Sequence, residues 1–202
     1  MKKLILVICV CLMSSFVVKA QSYTNLVGQK TPNLVIEKWI SPVPQLQGKF
    51  IVIDFWATWC GPCRVSIPHM NTLAAKYAEK IVVIGLSKET ESAIRAFKGM
   101  EYYSAIDTRG RLQATVGVRG IPNVMIIDPQ GIVCWQGHPT NLSESVIDKL
   151  IEDYAKKLGN VPSNQVEVLL NIEESYDSQL EKGNSNSTEE GPSQIVDAYE
   201  QM

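Results

Sequence analysis

The stretch that decides the fold is Asp54-Phe-Trp-Ala-Thr-Trp-Cys-Gly-Pro-Cys-Arg64, which holds Cys60 and Cys63 in a C-x-x-C spacing. Residues 50–55 form a short apolar run rich in β-branched side chains, which is typical of a buried parallel strand. Two thiols at the junction of a strand and a helix can form and break a disulfide, so the motif predicts redox chemistry. The helix is predicted from apolar residues that recur at helical spacing, at Val65, Ile67, Met70, Leu73, Ala74 and Tyr77.

Cys60 is predicted to lie at the N-terminus of this helix. Unpaired backbone N–H groups and the positive end of the helix dipole favour a thiolate there by roughly 0.3 to 2 kcal/mol. Since one pKa unit is about 1.4 kcal/mol, an ordinary cysteine pKa of about 8.5 would fall towards neutrality. Cys63, one turn further in, would be buried and protonated until it resolves a mixed disulfide. We therefore predict that Cys60 is the nucleophile and Cys63 the resolving cysteine.

Three separate elements resemble the thioredoxin superfamily. The stretch from Asp54 to Arg64 is similar to the family active site, and Pro68 falls where the family kinks its active-site helix. The loop Gly117-Val-Arg-Gly-Ile-Pro122 is similar to the loop that carries the family's cis-proline. The resemblance covers residues 26–158. It implies an α/β, thioredoxin-like three-layer fold, with a mixed central sheet and helices on both faces.

Further features resemble the exported TlpA/ResA-like branch of thiol-disulfide oxidoreductases. They are the long spacing from Cys63 to Pro122, Gly28-Gln-Lys-Thr-Pro32, and Leu46-Gln-Gly-Lys-Phe50. One departure concerns the glutamate that this branch often carries three residues after the second cysteine. That position is Ser66 here.

Asp54 matches the buried aspartate of cytoplasmic thioredoxins, six residues before the first cysteine. The resemblance implies that Asp54 accepts the proton of Cys63, directly or through water, with its pKa raised by burial. The alternative is an aspartate at a strand end that is hydrogen-bonded to nearby backbone.

The resemblance also implies a substrate-binding surface. A cis Ile121–Pro122 bond beside the disulfide would leave the backbone of Ile121 free to pair with an extended substrate. The alternative is a trans Pro122 that opens a strand. Trp59, with Gly61 and Pro62, would offer substrate an apolar surface, whereas Trp56 is predicted to pack inside.

The first twenty residues are predicted to be a secretory signal peptide. Lys2 and Lys3 precede an apolar run over residues 4–18. Ala20 is the small residue before the predicted cleavage at Gln21. The run is shorter than the roughly twenty residues that span a bilayer. We predict export to a periplasmic or other extracytoplasmic space; left uncleaved, the run would anchor the chain to the membrane.

Cys134 is the third cysteine that would remain after cleavage. In a predicted strand over residues 132–136, it is expected to be a buried, inert core thiol. Two alternatives stay open: a second redox partner, and a zinc site of Cys134, His138, Cys60 and Cys63. A zinc site would leave Pro122 unexplained.

Composition agrees with one modest globular domain. The chain has 202 residues, 45% hydrophobic and 20% charged, and its net charge of −2 gives no reason to expect nucleic acid. We predict a thioredoxin-like domain over residues 21–159. Residues 160–202 hold nine acidic residues against Lys182 alone, and are predicted to be a largely flexible extension that either docks or is dispensable.

The remaining elements follow from periodicity and turn residues. We predict the active-site helix to end at about residue 79, with Arg64 and His69 solvated on it. Further strands are predicted over residues 81–86, 102–106, 123–127 and 132–136, and helices over residues 90–98, from about 110 to 116, and 142–158.

The predicted reaction is thiol–disulfide exchange, without a cofactor. Gly61-Pro62 resembles reducing thioredoxins, whose potential is about −270 mV against about −120 mV for the oxidising end of the family, so we predict a reductant. Its substrates would be disulfide-containing exported proteins, among which the resemblance implies apocytochrome c, and a membrane thiol protein would donate electrons. Three alternatives remain open: an oxidant or isomerase of the same fold, a non-catalytic copper or zinc module, and a peroxidase of the related peroxiredoxin branch. The motif of that branch has a proline before the reactive cysteine, and this chain has Trp56 at that position.

Overall fold

A mixed six-stranded sheet forms the centre of the computed structural model, which describes residues 25–159. Its strands are β1 (Lys38–Trp39), β2 (Phe50–Trp56), β3 (Ile81–Ser87), β4 (Tyr103–Ile106), β5 (Asn123–Ile127) and β6 (Val133–Gly137), in the order β1-β4-β3-β2-β5-β6. The helices are α1 (Gly61–Lys76), α2 (Glu91–Ala96), α3 (Arg111–Thr115) and α4 (Glu144–Gly159), with a 3-10 turn at Pro139–Asn141. The predicted signal peptide and the C-terminal extension lie outside the described residues.

Strands β2, β3 and β4 are parallel, and β1, β5 and β6 are antiparallel to their neighbours. This confirms the predicted α/β fold with a mixed sheet. The sequence did not indicate β1, because two residues are too short to show an alternating pattern. Helix α1 also ends before residue 79, since the chain turns at Tyr77, whose carbonyl accepts a hydrogen bond from the Lys80 N–H at 2.8 Å.

The two faces of the sheet are covered by different hydrophobic cores. Alternate residues of a strand point to opposite faces, so β2 contributes to both. The α1 core contains Phe50, Val52, Trp56, Cys63, Ile67, Met70 and Ile147, and the α3 core contains Ile51, Ile53, Phe55, Leu112 and Val116. Asp54 shares its strand parity with Val52 and Trp56 and therefore lies on the α1 side. The sheet thus has a helical layer on each face, as predicted.

Val65 is a correction to the predicted apolar face of α1. Its side chain is 78% exposed, whereas Cys63 and Ile67 are buried. At about 100° per residue, Val65 lies roughly 200° around the helix from Cys63, on the opposite side. The buried stripe therefore starts from Cys63 itself, and Val65 joins the surface near the disulfide.

His69 is a second correction. The sequence predicts a solvated side chain, but the imidazole is half-buried and its Nε2 lies 2.7 Å from the carbonyl oxygen of Leu142. This contact joins α1 to the segment before α4. Arg64, as predicted, is exposed. Within residues 25–159, none of the helices is long and apolar enough to cross a membrane.

Candidate active site

The C-x-x-C motif lies where β2 ends and α1 begins, at the carboxyl end of the parallel strands. Strand β5 runs antiparallel to β2, and Phe55 pairs with Asn123. This register brings Pro122, the residue before β5, beside the carboxyl end of β2. The topology thus brings the two predicted halves of the site, the cysteines and the proline, to one edge of the sheet.

Cys60 and Cys63 form a disulfide, with Cα atoms 5.2 Å apart. Cys60 is the N-cap of α1, and its Sγ accepts a hydrogen bond from the Cys63 N–H at 3.2 Å. The first turn of α1 contains no acidic residue. The Cys63 N–H and the positive end of the helix dipole both point at this sulfur. The position therefore favours a thiolate on Cys60 once the disulfide is reduced.

Cys63 is buried in the α1 core, one turn inside the helix. Ser66 is buried beside it, and its hydroxyl donates a hydrogen bond to the Cys63 carbonyl at 2.8 Å. Ser66 is therefore occupied by the helix backbone. In the position where the exported branch often has an acid, this chain offers no carboxylate.

Asp54 is only 1% exposed and is hydrogen-bonded to a side chain rather than to backbone. The hydroxyl of Tyr102 donates to its Oδ2 at 2.7 Å, and its Oδ1 is buried without a hydrogen-bond partner. Burial raises the pKa of Asp54 from its ordinary 3.8 to about 6, while the Tyr102 hydrogen bond acts in the opposite direction. A carboxyl group with this pKa can exchange a proton near neutral pH.

Tyr102 was missed by the sequence reasoning. It directly precedes β4 and is 7% exposed. A tyrosine before a strand carries no sign of the partner that it will meet 48 residues away. The pairing depends on strand order, which brings β4 next to β3, and β3 next to β2.

The peptide bond between Ile121 and Pro122 is cis. Pro122 is therefore not the trans proline of the alternative interpretation. Ile121 is half-buried and contacts both hydrophobic cores.

An exposed apolar surface surrounds the disulfide. Trp59 is 72% exposed, and Gly61 and Pro62 are exposed next to it. Trp56 is buried, as predicted, with its ring 4.9 Å from that of Phe97. Beside the disulfide lies an open groove, which is lined by Gly61, Arg64, Val65, Ile67, Pro68, Phe97, Lys98 and Gly99.

Glu89 is a second residue that the sequence reasoning missed. Its carboxylate accepts hydrogen bonds from the backbone N–H of Thr58 and, at 2.7 Å, from the Thr58 hydroxyl. Ser87 also donates to it, at 3.3 Å. Glu89 therefore holds the loop that carries Trp59 and Cys60. A signal was present, because polar residues just after the carboxyl end of a parallel strand often serve the site at that edge.

Cys134 is half-buried, and its thiol contacts the Ile126 carbonyl at 3.5 Å. Burial, with the nearby Asp128 carboxylate, raises the pKa of Cys134 to about 12, which agrees with an inert thiol. His138 forms its own contact with Thr140, 2.8 Å from Nδ1 to Oγ1. Among residues 25–159, no three His, Cys, Asp or Glu side chains are grouped to hold a metal, so the zinc set that the sequence allowed is not assembled there.

Comparison with known proteins gives the family. A model described as the AhpC/TSA family matches residues 27–136, more than half of the chain. The chain belongs to the AhpC/TSA family. One curated relative of this AhpC/TSA chain is the thiol-disulfide oxidoreductase ResA of Bacillus thuringiensis (strain Al Hakam). The two are 34% identical over 140 residues, which are 65% of this chain and 78% of the relative.

Two further proteins extend the comparison. The thiol:disulfide interchange protein DsbE of Pasteurella multocida (strain Pm70) is 33% identical over 117 residues, 55% of this chain and 62% of the relative. A crystal structure from Chlorobium tepidum, assigned as a thiol:disulfide interchange protein DsbE, superposes with a TM-score of 0.51 at 29% identity and covers 62% of this chain and 96% of that one. This AhpC/TSA protein is a thiol-disulfide oxidoreductase with a thioredoxin-like fold.

Proposed function

We propose that the protein is an exported reductant of disulfides in extracytoplasmic proteins, with Cys60 as nucleophile, Cys63 as resolving cysteine and Asp54 as proton acceptor. The observation that carries the proposal is the Cys60–Cys63 disulfide at the N-terminus of α1, with the buried Asp54 carboxyl group on the same side of the sheet. Residues 21–159 are the catalytic domain in this proposal.

The exchange runs in two steps. The Cys60 thiolate attacks one sulfur of a substrate disulfide, which forms a Cys60–substrate disulfide and releases the other substrate sulfur as a thiolate. Cys63 then gives its proton to Asp54 and attacks Cys60, which closes the Cys60–Cys63 disulfide and releases the second substrate thiolate. The two released thiolates take up protons, and two electrons pass from the protein to the substrate.

Substrate would bind along the surface around the disulfide. The backbone of Ile121, held beside the motif by the β2–β5 register, would pair with an extended substrate segment. Trp59, Gly61 and Pro62 would contact its apolar side chains, since all three are exposed at the N-terminus of α1. This arrangement suits unfolded or flexible segments rather than folded ones.

Export is supported by residues 1–20, whose basic start and apolar run are typical of a signal peptide. An exported reductant needs electrons from across the membrane, so its partner would be a membrane thiol protein. Apocytochrome c is one substrate that the family resemblance supports. Residues 160–202 would be an acidic extension outside the catalytic domain.

The proposal is tested by insulin reduction with dithiothreitol. We expect activity in the wild type, none in Cys60→Ser, a trapped mixed disulfide in Cys63→Ser, and unchanged activity in the control Cys134→Ser. Failure of the wild type to reduce insulin would contradict the proposal. Peroxide consumption, measured in parallel, separates it from a peroxidase.

The direction of electron flow is tested by titrating the Cys60/Cys63 pair against glutathione. Gly61-Pro62 supports a reductant, so we expect a potential near the thioredoxin value of about −270 mV. A value close to about −120 mV would instead make the protein an oxidant and overturn the direction while leaving the exchange chemistry in place.

A further inference from the structure

The two carboxylate oxygens of Asp54 have different surroundings. Oδ2 accepts the hydrogen bond of Tyr102, at 2.7 Å, and Oδ1 is buried with no hydrogen-bond partner. A buried, unpaired carboxylate oxygen is costly, and a catalytic role is one reason why a native structure keeps such an atom. Oδ1 is therefore the oxygen available to take a proton.

We propose that Tyr102 is a positioning residue, whose hydroxyl holds Oδ2 of Asp54 so that the proton of Cys63 is received at Oδ1. This inference rests on the proposed function, because it concerns the same resolving step. The Tyr102 hydroxyl can donate to Oδ2 in both charge states of Asp54. The carboxyl group consequently keeps one orientation while Oδ1 gains and loses its proton.

Packing leaves Tyr102 as the partner of Asp54. On the sheet, Asp54 is flanked by Gly85 of β3 and Val124 of β5, neither of which can titrate. A Cβ at Gly85 would lie about 3 Å from Met100 and Trp56, so glycine at this position lets these two side chains pack closely against β3. The other titratable or charged side chains on elements of this face are engaged or exposed. Those engaged are Cys63 in the disulfide, His69 on Leu142, Cys134 on Ile126, Asp148 on Tyr77, Tyr154 against Phe50, and Glu91 with Arg95; those at the surface are Arg64, Lys76, Glu144, Lys149, Glu152, Asp153, Lys156 and Lys157.

The proton and electron balance of the step is simple. The Cys63 S–H bond breaks and an O–H bond forms at Oδ1 of Asp54. The Cys63 thiolate then forms a bond to Cys60 Sγ as the bond from Cys60 to the substrate sulfur breaks, and that sulfur leaves with the electron pair. When the Cys60–Cys63 disulfide is next reduced, Asp54 returns the proton to Cys63. Tyr102 gives up no proton at any stage.

The direct test is infrared titration of the Asp54 carboxyl group in the oxidised full-length protein, with Asp54→Asn as the blank. Tyr102→Phe keeps the ring and removes only the hydroxyl. Because the hydrogen bond from that hydroxyl favours the ionised form of Asp54, we expect the titration midpoint of Asp54 to rise by about one pH unit in this variant. Tyr103→Phe is the matched control, since Tyr103 is the partly exposed neighbour, and it should keep the wild-type midpoint.

A kinetic measurement separates this role from packing. The rate at which Cys63 resolves a mixed disulfide at Cys60 should show the same upward shift of its pH profile in Tyr102→Phe, and Tyr102→Phe should have no added effect in Asp54→Asn. A wild-type midpoint in Tyr102→Phe would overturn the inference. Because the infrared titration needs no turnover, an inactive wild type with a shifted Tyr102→Phe midpoint would refute the proposed function and not the positioning role.

Discussion

Cys60 and Cys134 contact the same hydrophobic core, yet their surroundings favour opposite states of the thiol. Cys134 is the more exposed of the two, so exposure alone would make it the more reactive. Burial, with the Asp128 carboxylate nearby, instead raises the pKa of Cys134 to about 12, and its sulfur faces the Ile126 carbonyl. Cys60 receives an N–H group at a helix N-terminus. The difference shows that accessible area alone does not decide reactivity here: burial and a nearby carboxylate disfavour the Cys134 thiolate, whereas an N–H group at a helix N-terminus favours the Cys60 thiolate.

The largest expected effect comes from removing one cysteine at a time. Cys60→Ser should lower insulin reduction by roughly a thousandfold or more, to the rate of dithiothreitol alone, because the nucleophile is lost. Cys134→Ser should keep wild-type activity. A large loss in Cys134→Ser would break the contrast and make the third cysteine part of the cycle.

A second effect concerns the free-energy cost of burying the Asp54 carboxylate on the α1 side of the sheet. Its pKa is about 6 in the folded protein and 3.8 ordinarily, so the folded state binds the proton more tightly. The free energy of unfolding should therefore fall as pH rises between these two values, by about 3 kcal/mol in total, and then level off. Asp54→Asn should abolish this loss.

Denaturant unfolding of the oxidised protein across this pH range measures the effect. Asp54→Asn should be more stable than the wild type by up to about 3 kcal/mol above neutral pH, and equally stable below about pH 4. Asp148→Asn is a matched control that should not reproduce this pH dependence, since Asp148 accepts a hydrogen bond from the Tyr77 hydroxyl at the far end of α1. An equal gain for Asp54→Asn at every pH would show that its carboxyl group does not titrate as described.

A smaller effect is expected at Glu89, which fixes the loop before Cys60. Glu89→Gln keeps one acceptor oxygen and should lose about 1 to 2 kcal/mol of stability, with a few-fold lower rate of insulin reduction. Glu101→Gln, at an exposed glutamate, serves as the control. If both variants behave like the wild type, the Glu89 contacts do not hold the loop.

Much of the fold could be predicted because its signals are local. The apolar run of β2, the helical spacing after Cys63 and the turn Asp128-Pro-Gln-Gly131 each lie within a few residues, and the corresponding strand, helix and hairpin are present. The two-residue β1 gave no signal, and Val65 was misplaced because an apolar residue near the correct spacing does not fix a helix face. Local pattern also does not show that His69 meets Leu142.

The site divides in the same way. The C-x-x-C motif and Pro122 could be found from short motifs and a family resemblance, and the structure has the disulfide and the cis bond there. Tyr102 could not, because it contacts a residue 48 positions away through strand order. Glu89 had a partial signal in its position just after β3, but its contact with Thr58, 31 positions away, could not be predicted from the local sequence. Strand order is a property of the assembled sheet and leaves no mark on a single segment.

The most direct test of the contrast between Cys60 and Cys134 is the pH dependence of alkylation by iodoacetamide in the reduced protein, followed by mass spectrometry of the two cysteine peptides. Reaction at Cys60 should follow a pKa below about 7.5, since its thiolate faces a helix N-terminus, and reaction at Cys134 should remain negligible until strongly alkaline pH. A Cys60 pKa at or above the ordinary value of about 8.5, or equal rates at the two cysteines near neutral pH, would contradict the account.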